Sequence, residues 1–256
     1  MFGKKSIIPY LAIAVVVLAT AAFLVIKLGA GGTLSTSNIG QGLDIKVSDK
    51  YLAQLKDCKQ LIINTAPDYV VSDTTIRAYE KDGSTWKEVL KLSPACIGAG
   101  GFAAPGEKKE GDYRSPTGAF TFGVCFGNKD NPGTKMEYRK TTDNDYWVDD
   151  SQSKYYNTWQ TGPVDGRWTS AEAIGLTGPV YDYAAVINYN TDKPVPGLGS
   201  AIFMHIWSGQ GGVTAGCTAM SEENLVTLFK WMDPAKKPMI LQGVESELTG
   251  TAKASK

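Results

Sequence analysis

The chain has 256 residues, which is enough for one substantial domain, or two small ones, with appendages. Its hydrophobic fraction of 43% is ordinary for a folded protein and can supply a core. The 26 basic residues balance the 26 acidic ones without a basic block or basic helix, which argues against a nucleic-acid-binding protein.

The first predicted element is an uncharged apolar run, Ile7–Ile26. A helix of this length just spans a hydrocarbon core of about 30 Å, and the preceding Lys4 and Lys5 favour a cytoplasmic N-terminus. We predict a cytoplasmic stub at residues 1–6 and a transmembrane anchor at residues 7–28. The rest of the chain would then lie outside the cytoplasmic membrane, on the cell-wall or periplasmic side. A cleaved signal peptide is the alternative, and it would release a secreted domain.

A segment rich in Gly, Ser and Thr follows the apolar run and predicts a flexible linker over residues 29–45. We expect one folded domain over residues 46–243 and a polar, frayed tail over residues 244–256. We expect the domain to open with a short helix that Ser48 could cap.

Short strands dominate the domain. We predict strands at residues 61–65, 74–80, 85–92, 118–126, 181–189, 201–207 and 239–241. An Asp-Gly turn at residues 81–84 closes a hairpin. Residues 127–180 lack periodicity and predict long functional loops, whereas Ser221 starts the clearest helix. The pattern predicts a mainly β fold, a single sandwich or open barrel with one or two short helices.

The four cysteines are Cys58, Cys96, Cys125 and Cys217. They form no C-x-x-C pair, and the chain has a single histidine, so no metal-ligand pattern is present and we expect neither a metal nor a cofactor. In an exported protein Cys96 and Cys125 could form a disulfide. The three cysteines other than Cys217 could equally be small buried residues.

Residues 201–220 hold the candidate catalytic pair. The single histidine, His205, ends an apolar run, and a Gly-rich loop separates it from Cys217. A thiol reacts as its thiolate, and an imidazole or a helix N-terminus near Ser221 could favour that anion. Amides around Gly216 could hold an oxyanion. Spacing alone also fits a core histidine and a buried cysteine.

This stretch resembles the active-site signature of the L,D-transpeptidases, the YkuD-type catalytic domain. The resemblance rests on a strand histidine followed by the turn Thr214–Cys217, here T-A-G-C. A second match is Ser115–Phe120, which resembles the family's Pro-Thr-Gly-x-Phe stretch, and Asp145–Asp150 resembles an extracellular branch. Together the matches cover roughly residues 60–242.

The resemblance implies cysteine acyl transfer on peptidoglycan stem peptides. Cys217 would be the nucleophile, His205 the general base and acid, and Gly216 and Thr214 would support the turn and the oxyanion. An amine from a neighbouring stem would resolve a thioester and form a cross-link. An L,D-carboxypeptidase of the same fold and a non-catalytic wall-binding module remain alternatives.

The chain departs from the family at the substrate side. Ala219 stands where many members carry an arginine, so carboxylate recognition does not carry over. Either Ser208 or a backbone carbonyl could orient His205. The candidate substrate-groove residues are Trp207, Ser208, Tyr146 and Trp147, with packing as the alternative role of the aromatic ones.

Overall fold

The structure is a computed structural model that describes residues 47–83 and 85–249. The predicted stub, anchor and linker, and the chain from residue 250 onward, lie outside the described residues. Within the described ranges no helix is long and apolar enough to cross a membrane.

Strands form most of the described fold. They are β1 (Gln60–Ala66), β2 (Asp73–Asp82), β3 (Thr85–Lys91), β4 (Ala95–Cys96), β5 (Phe102–Ala103), β6 (Ser115–Pro116), β7 (Gly118–Gly127), β8 (Tyr138–Lys140), β9 (Asp145–Val148), β10 (Trp159–Thr161), β11 (Ala171–Glu172), β12 (Ala184–Ile187), β13 (Phe203–Ile206), β14 (Thr218–Met220) and β15 (Met239–Val244). The α-helices are α1 (Asp49–Leu52), α2 (Glu222–Trp231) and α3 (Glu245–Leu248), and 3-10 turns lie at Pro179–Tyr181 and Pro234–Lys236.

The main sheet closes on itself. Its order is β1–β15–β7–β12–β13–β14–β4–β2, and β2 also pairs with β1; β3 and β8 flank β2 and β7. The mainly β prediction is confirmed, but the barrel is closed rather than open. Closure follows because β1 pairs in parallel with β15 on one side and antiparallel with β2 on the other.

Strands from all round the sheet contribute to one large hydrophobic cluster, which is therefore the barrel interior. It contains Ile62, Ile76, Met204 and Ile240, and the apolar face of α2 packs into it through Leu228. The Ser221 hydroxyl caps α2 by accepting a hydrogen bond from the Asn224 amide at 3.3 Å, as the sequence predicts.

The region predicted as long loops contains its own sheet. Strands β10, β9 and β11 pair in that order, and aromatic side chains join this sheet to the outer face of the barrel. The ring centroids of Trp147 and Phe203 lie 5.1 Å apart, and those of Trp159 and Phe126 lie 5.3 Å apart. Its packing depends on aromatic side chains, and apolar and polar residues do not alternate along its strands, which have at most four residues. No period-2 pattern therefore marks this sheet in the sequence.

Two further expectations need correction. The chain beyond Gly243 does not fray at once, because α3 follows β15 and Leu248 is fully buried. The Ser48 amide also bonds the Leu248 carbonyl at 2.8 Å. Cys96 and Cys125 form no disulfide, since each of them is a buried free thiol.

Candidate active site

Two neighbouring parallel strands carry the candidate pair. His205 lies on β13 opposite Ala219 of β14, and Cys217 directly precedes β14. Alternate residues of an extended chain share a face, so Cys217 lies on the same face as His205. The structure therefore places the predicted nucleophile and base on one face of these two strands. Cys217 packs in the aromatic cluster with Phe203 and Tyr181, and the Tyr181 ring packs against His205.

The turn before the nucleophile is held by side chains. The Thr214 hydroxyl donates to the Cys217 carbonyl at 2.7 Å and accepts from the Gly216 amide at 3.1 Å. Gly216 has a φ of +150°, and a Cβ there would lie 3.0 Å from the Arg114 carbonyl oxygen. A glycine is therefore required before the thiol.

Ser115 fixes the same turn from another strand. Its fully buried hydroxyl lies 2.7 Å from the Gly216 carbonyl oxygen and 3.1 Å from that of Cys217, and it accepts from the Gly98 amide at 3.1 Å. Ser115 begins the family-like stretch Ser115–Phe120, but nothing in the sequence indicates this role for its hydroxyl.

The Cys217 thiol is enclosed and neutral. Sγ accepts a hydrogen bond from the Phe203 amide and donates one to the Ala201 carbonyl, both at 3.3 Å. Burial raises the pKa of the thiol, and the nearby charge of Glu172 raises it further. Among the described residues the thiol makes no hydrogen bond to His205, so a rotation must precede proton transfer.

Helix α2 does not supply the predicted dipole at the thiol. The three residues of β14 lie between Cys217 and the start of α2 at Glu222. Glu222 is five residues beyond Cys217, and an extended chain rises about 3.3 Å per residue, so the helix begins about 16 Å beyond Cys217 along the chain. The macrodipole acts mainly within the first turn and is weak at this distance.

His205 is held as a neutral base. Its Nδ1 lies 2.7 Å from the Ile206 carbonyl oxygen, which can only accept, so Nδ1 carries the proton and Nε2 is the basic nitrogen. Burial lowers the pKa of the imidazole to about 4, against a small rise from that hydrogen bond. Of the two predicted orienting groups, the backbone carbonyl does this, whereas Ser208 is exposed.

A cleft of about 190 Å³ opens onto the thiol. Its lining residues are Lys108, Glu110, Gly111, Tyr113, Asp149, Glu172, Ser200, Ala201, Ile202, Ala215, Gly216 and Cys217. Three of them are acidic and one is basic. The Lys108 ammonium already pairs with the Asp112 carboxylate at 2.7 Å, so the charge available to a ligand is negative.

Glu172 connects this cleft to the base. The Tyr181 hydroxyl donates to Glu172 Oε2 at 2.6 Å, and the Tyr181 ring packs edge-on against His205 with centroids 5.3 Å apart. Burial raises the pKa of Glu172 to about 7, and the charges of Asp149 and Glu110 add to this. Glu172 lies in the segment without periodicity and gives no signal in the sequence. Tyr181 is predicted to begin a strand, but it lies in the 3-10 turn Pro179–Tyr181.

The predicted groove residues lie elsewhere. Trp147 is buried, and its indole N–H donates to Asn157 at 2.8 Å. Tyr146 packs on Trp168 at 5.6 Å, Trp207 packs against the barrel cluster, and Ser208 is exposed. Within the described part of the chain, none of these four predicted residues lines the cleft at Cys217.

Comparison with known protein families places most of the chain in one of them. A family model described as the L,D-transpeptidase catalytic domain, YkuD, matches residues 63–241 and so covers both motifs of the site. No curated protein and no solved structure matches the chain. In residues 47–83 and 85–249, no group of three or more His, Cys, Asp and Glu side chains could hold a metal ion.

Proposed function

We propose that this chain, which belongs to the YkuD family of L,D-transpeptidase catalytic domains, transfers acyl groups of peptidoglycan stem peptides through Cys217. The observation that carries the proposal is the thiol itself: it lines a cleft and shares a strand face with a neutral imidazole whose Nε2 is basic.

The first half-reaction begins when substrate enters the cleft and the thiol turns from the Ala201 carbonyl toward His205. Nε2 takes the thiol proton as sulfur attacks the carbonyl carbon of the stem amide. Both groups are buried and neutral beforehand, so proton transfer coupled to attack avoids a free thiolate beside an imidazolium, and the negative charge develops on the carbonyl oxygen instead. His205 then protonates the leaving D-alanine amine as the C–N bond breaks, and a thioester remains.

In our proposal, the backbone amide of Cys217 donates a hydrogen bond to the oxyanion that forms in this step. The neighbouring Gly216 amide is already bonded to the Thr214 hydroxyl at 3.1 Å. Thr214 and Ser115 hold the peptide that carries the nucleophile, which keeps the donor fixed where charge develops. Gly216 and Thr214 therefore support the turn rather than donate to substrate.

An amine from a second stem would resolve the thioester and form a cross-link, whereas water would make the chain an L,D-carboxypeptidase. The acidic cleft favours the amine, because an ammonium group is attracted to it. A wall-binding module without catalysis would not need an oriented imidazole beside a cleft-lining thiol. Attachment to the cytoplasmic membrane through residues 7–28, with the domain outside the cell membrane, is part of the proposal and rests on the sequence alone.

The test uses the purified chain, a defined stem tetrapeptide and intact-mass measurement. We expect a covalent adduct equal in mass to the peptide without its terminal D-alanine. Cys217→Ala should abolish the adduct, because no other thiol lines the cleft. Cys96→Ala is the matched control and should retain it, since Cys96 lies on β4 and is not among the residues that line the cleft. An adduct on Cys217→Ala would exclude the mechanism.

A further inference from the structure

We propose that Glu172 accepts the proton of the amine that attacks the Cys217 thioester and so favours amines over water. The inference rests on the proposed acyl transfer, and it assigns a catalytic residue for the second half-reaction. The first observation is position. Glu172 and Cys217 line the same cleft, and the negative charge of the nearby carboxylate raises the pKa of the thiol.

The second half-reaction needs a base that the first does not use. A lysine-like amine has a pKa of about 10.4, so it arrives as an ammonium ion without a lone pair. It must lose a proton before nitrogen can attack. His205 is needed later in this half-reaction to return a proton to sulfur, and burial lowers its pKa to about 4, so it is a poor acceptor for the first proton of the ammonium.

Glu172 has the geometry and the basicity for the task. Tyr181 occupies Oε2, whereas Oε1 has no hydrogen-bond partner among the described residues. Its pKa of about 7 makes it a proton acceptor near neutral pH, where a general base is most effective. The Tyr181 hydroxyl holds the carboxylate in place, and the ring of the same residue packs against His205.

The surrounding charges support an ammonium ligand. Glu110 and Asp149 line the same cleft, and Asp149 Oδ1 is a buried acceptor without a partner in the described residues. Lys108, the cleft's cation, is neutralised by Asp112. An ammonium group has three N–H donors, and carboxylate oxygens without a hydrogen-bond partner would accept them here. A site that binds an ammonium in this way does not need an arginine after Cys217.

The proton balance closes with Glu172, which lines the cleft, and His205. The Glu172 carboxylate takes one proton from the ammonium, and the freed nitrogen attacks the thioester carbonyl carbon. A C–N bond forms, the C–S bond breaks, and the second proton of the nitrogen passes through His205 to sulfur. The thiol is restored, and Glu172 gives its proton to water as the product leaves.

The test compares thioester formation, hydrolysis and amide formation in the full chain with a stem tetrapeptide donor and a lysine-type amine acceptor. Glu172→Gln retains an acceptor for the Tyr181 hydroxyl but no base. We expect acylation to persist and the ratio of amide to hydrolysis product to fall about 100-fold. Hydroxylamine, which is unprotonated at neutral pH, should restore transfer in the variant. Glu107→Gln, at an exposed position outside the cleft, is the matched control.

The outcomes separate the two proposals. If wild-type chain forms no adduct, the proposed function fails. If Glu172→Gln acylates and partitions to amide as wild type does, the inference alone is overturned. If Glu172→Gln does not acylate, Tyr181→Phe is the deciding variant. Loss of the hydroxyl donor should raise the midpoint pH of amide formation and leave the midpoint pH of acylation unchanged. An unshifted pH profile for amide formation overturns the inference.

Discussion

At the scale of single residues, one hydroxyl holds the turn that carries Cys217. Ser115 is fully buried and reaches two consecutive carbonyl oxygens, those of Gly216 and Cys217, from a strand far away in sequence. It also satisfies the Gly98 amide. Ser115 therefore joins two loops and the nucleophile turn through a single atom.

Replacing Ser115 with alanine should test this role. The change leaves buried backbone groups unpaired, which costs about 2 kcal/mol of unfolding free energy, and it loosens the turn, so adduct formation should slow as well. Urea unfolding and the rate of adduct formation measure the two effects. Ser208→Ala, on the exposed loop after His205, is the control and should change neither. Unchanged adduct formation in Ser115→Ala would mean that the hydroxyl does not position the nucleophile.

The sequence predicts this site best at the residue types that are rare in the chain. A single histidine and a cysteine after glycine stand out, and the structure does place His205 and Cys217 on one face. Glu172 has no such signal, since it is one carboxylate among many and reaches the cleft through the β11–β9 pairing. The aromatic candidates were chosen for side-chain type, and Trp147 lies in the core instead.

At the scale of elements, the small β10–β9–β11 sheet depends on one buried carboxylate. Asp145 is 1% exposed and accepts hydrogen bonds from the Trp159 indole at 2.9 Å and the Thr161 hydroxyl at 3.0 Å. The Thr142 amide and hydroxyl bond its other oxygen at 2.9 Å. Although burial opposes it, these bonds hold the pKa of Asp145 below its usual range.

Asp145→Asn should therefore loosen this sheet. The amide group turns an acceptor into a donor facing other donors, and loss of a charged hydrogen-bond acceptor costs about 2–3 kcal/mol. Faster amide hydrogen exchange over residues 142–174 is the expected readout, together with a lower urea midpoint. The exposed neighbour Asp143→Asn should match wild type. Equal exchange in both variants would show that Asp145 is not required for the sheet.

The sequence predicts elements better than it predicts their arrangement. The hairpin of β2 and β3 follows from an Asp-Gly turn, and α2 follows from its apolar face and its cap. Barrel closure depends on the parallel pairing of β1 with β15, two strands from opposite ends of the domain. No local pattern specifies such a pairing, because it is decided by which faces can be buried together.

At the scale of the whole molecule, the site contains two groups with opposing effects on stability. Burial lowers the pKa of His205 from 6.5 to about 4, so its contribution is present above pH 6.5 and is lost as pH falls. Burial raises the pKa of Glu172 from 4.5 to about 7, so its contribution is present below pH 4.5 and is lost as pH rises. Each effect corresponds to about 3 kcal/mol, and they oppose each other over the same range.

Single substitutions should reveal the pH dependence of stability that these two opposing effects conceal in the wild-type chain. Relative to wild type, Glu172→Gln should gain stability as pH rises through this window, because the His205 effect is then unopposed. His205→Gln should lose stability over the same rise. Urea midpoints at pH 4.5 and pH 7 measure both slopes, and the difference from wild type removes contributions of other carboxylates. Parallel curves for the three proteins would contradict the opposing shifts.

The resting state of Cys217 has a consequence beyond catalysis. Sγ is held between the Phe203 amide and the Ala201 carbonyl, as a protonated and enclosed thiol. Oxidation to sulfenic acid and alkylation by electrophiles both start from an accessible thiolate. In the proposed mechanism, these hydrogen bonds therefore also protect the thiol from oxidation and alkylation between reactions, since Sγ becomes reactive only when substrate turns it toward His205.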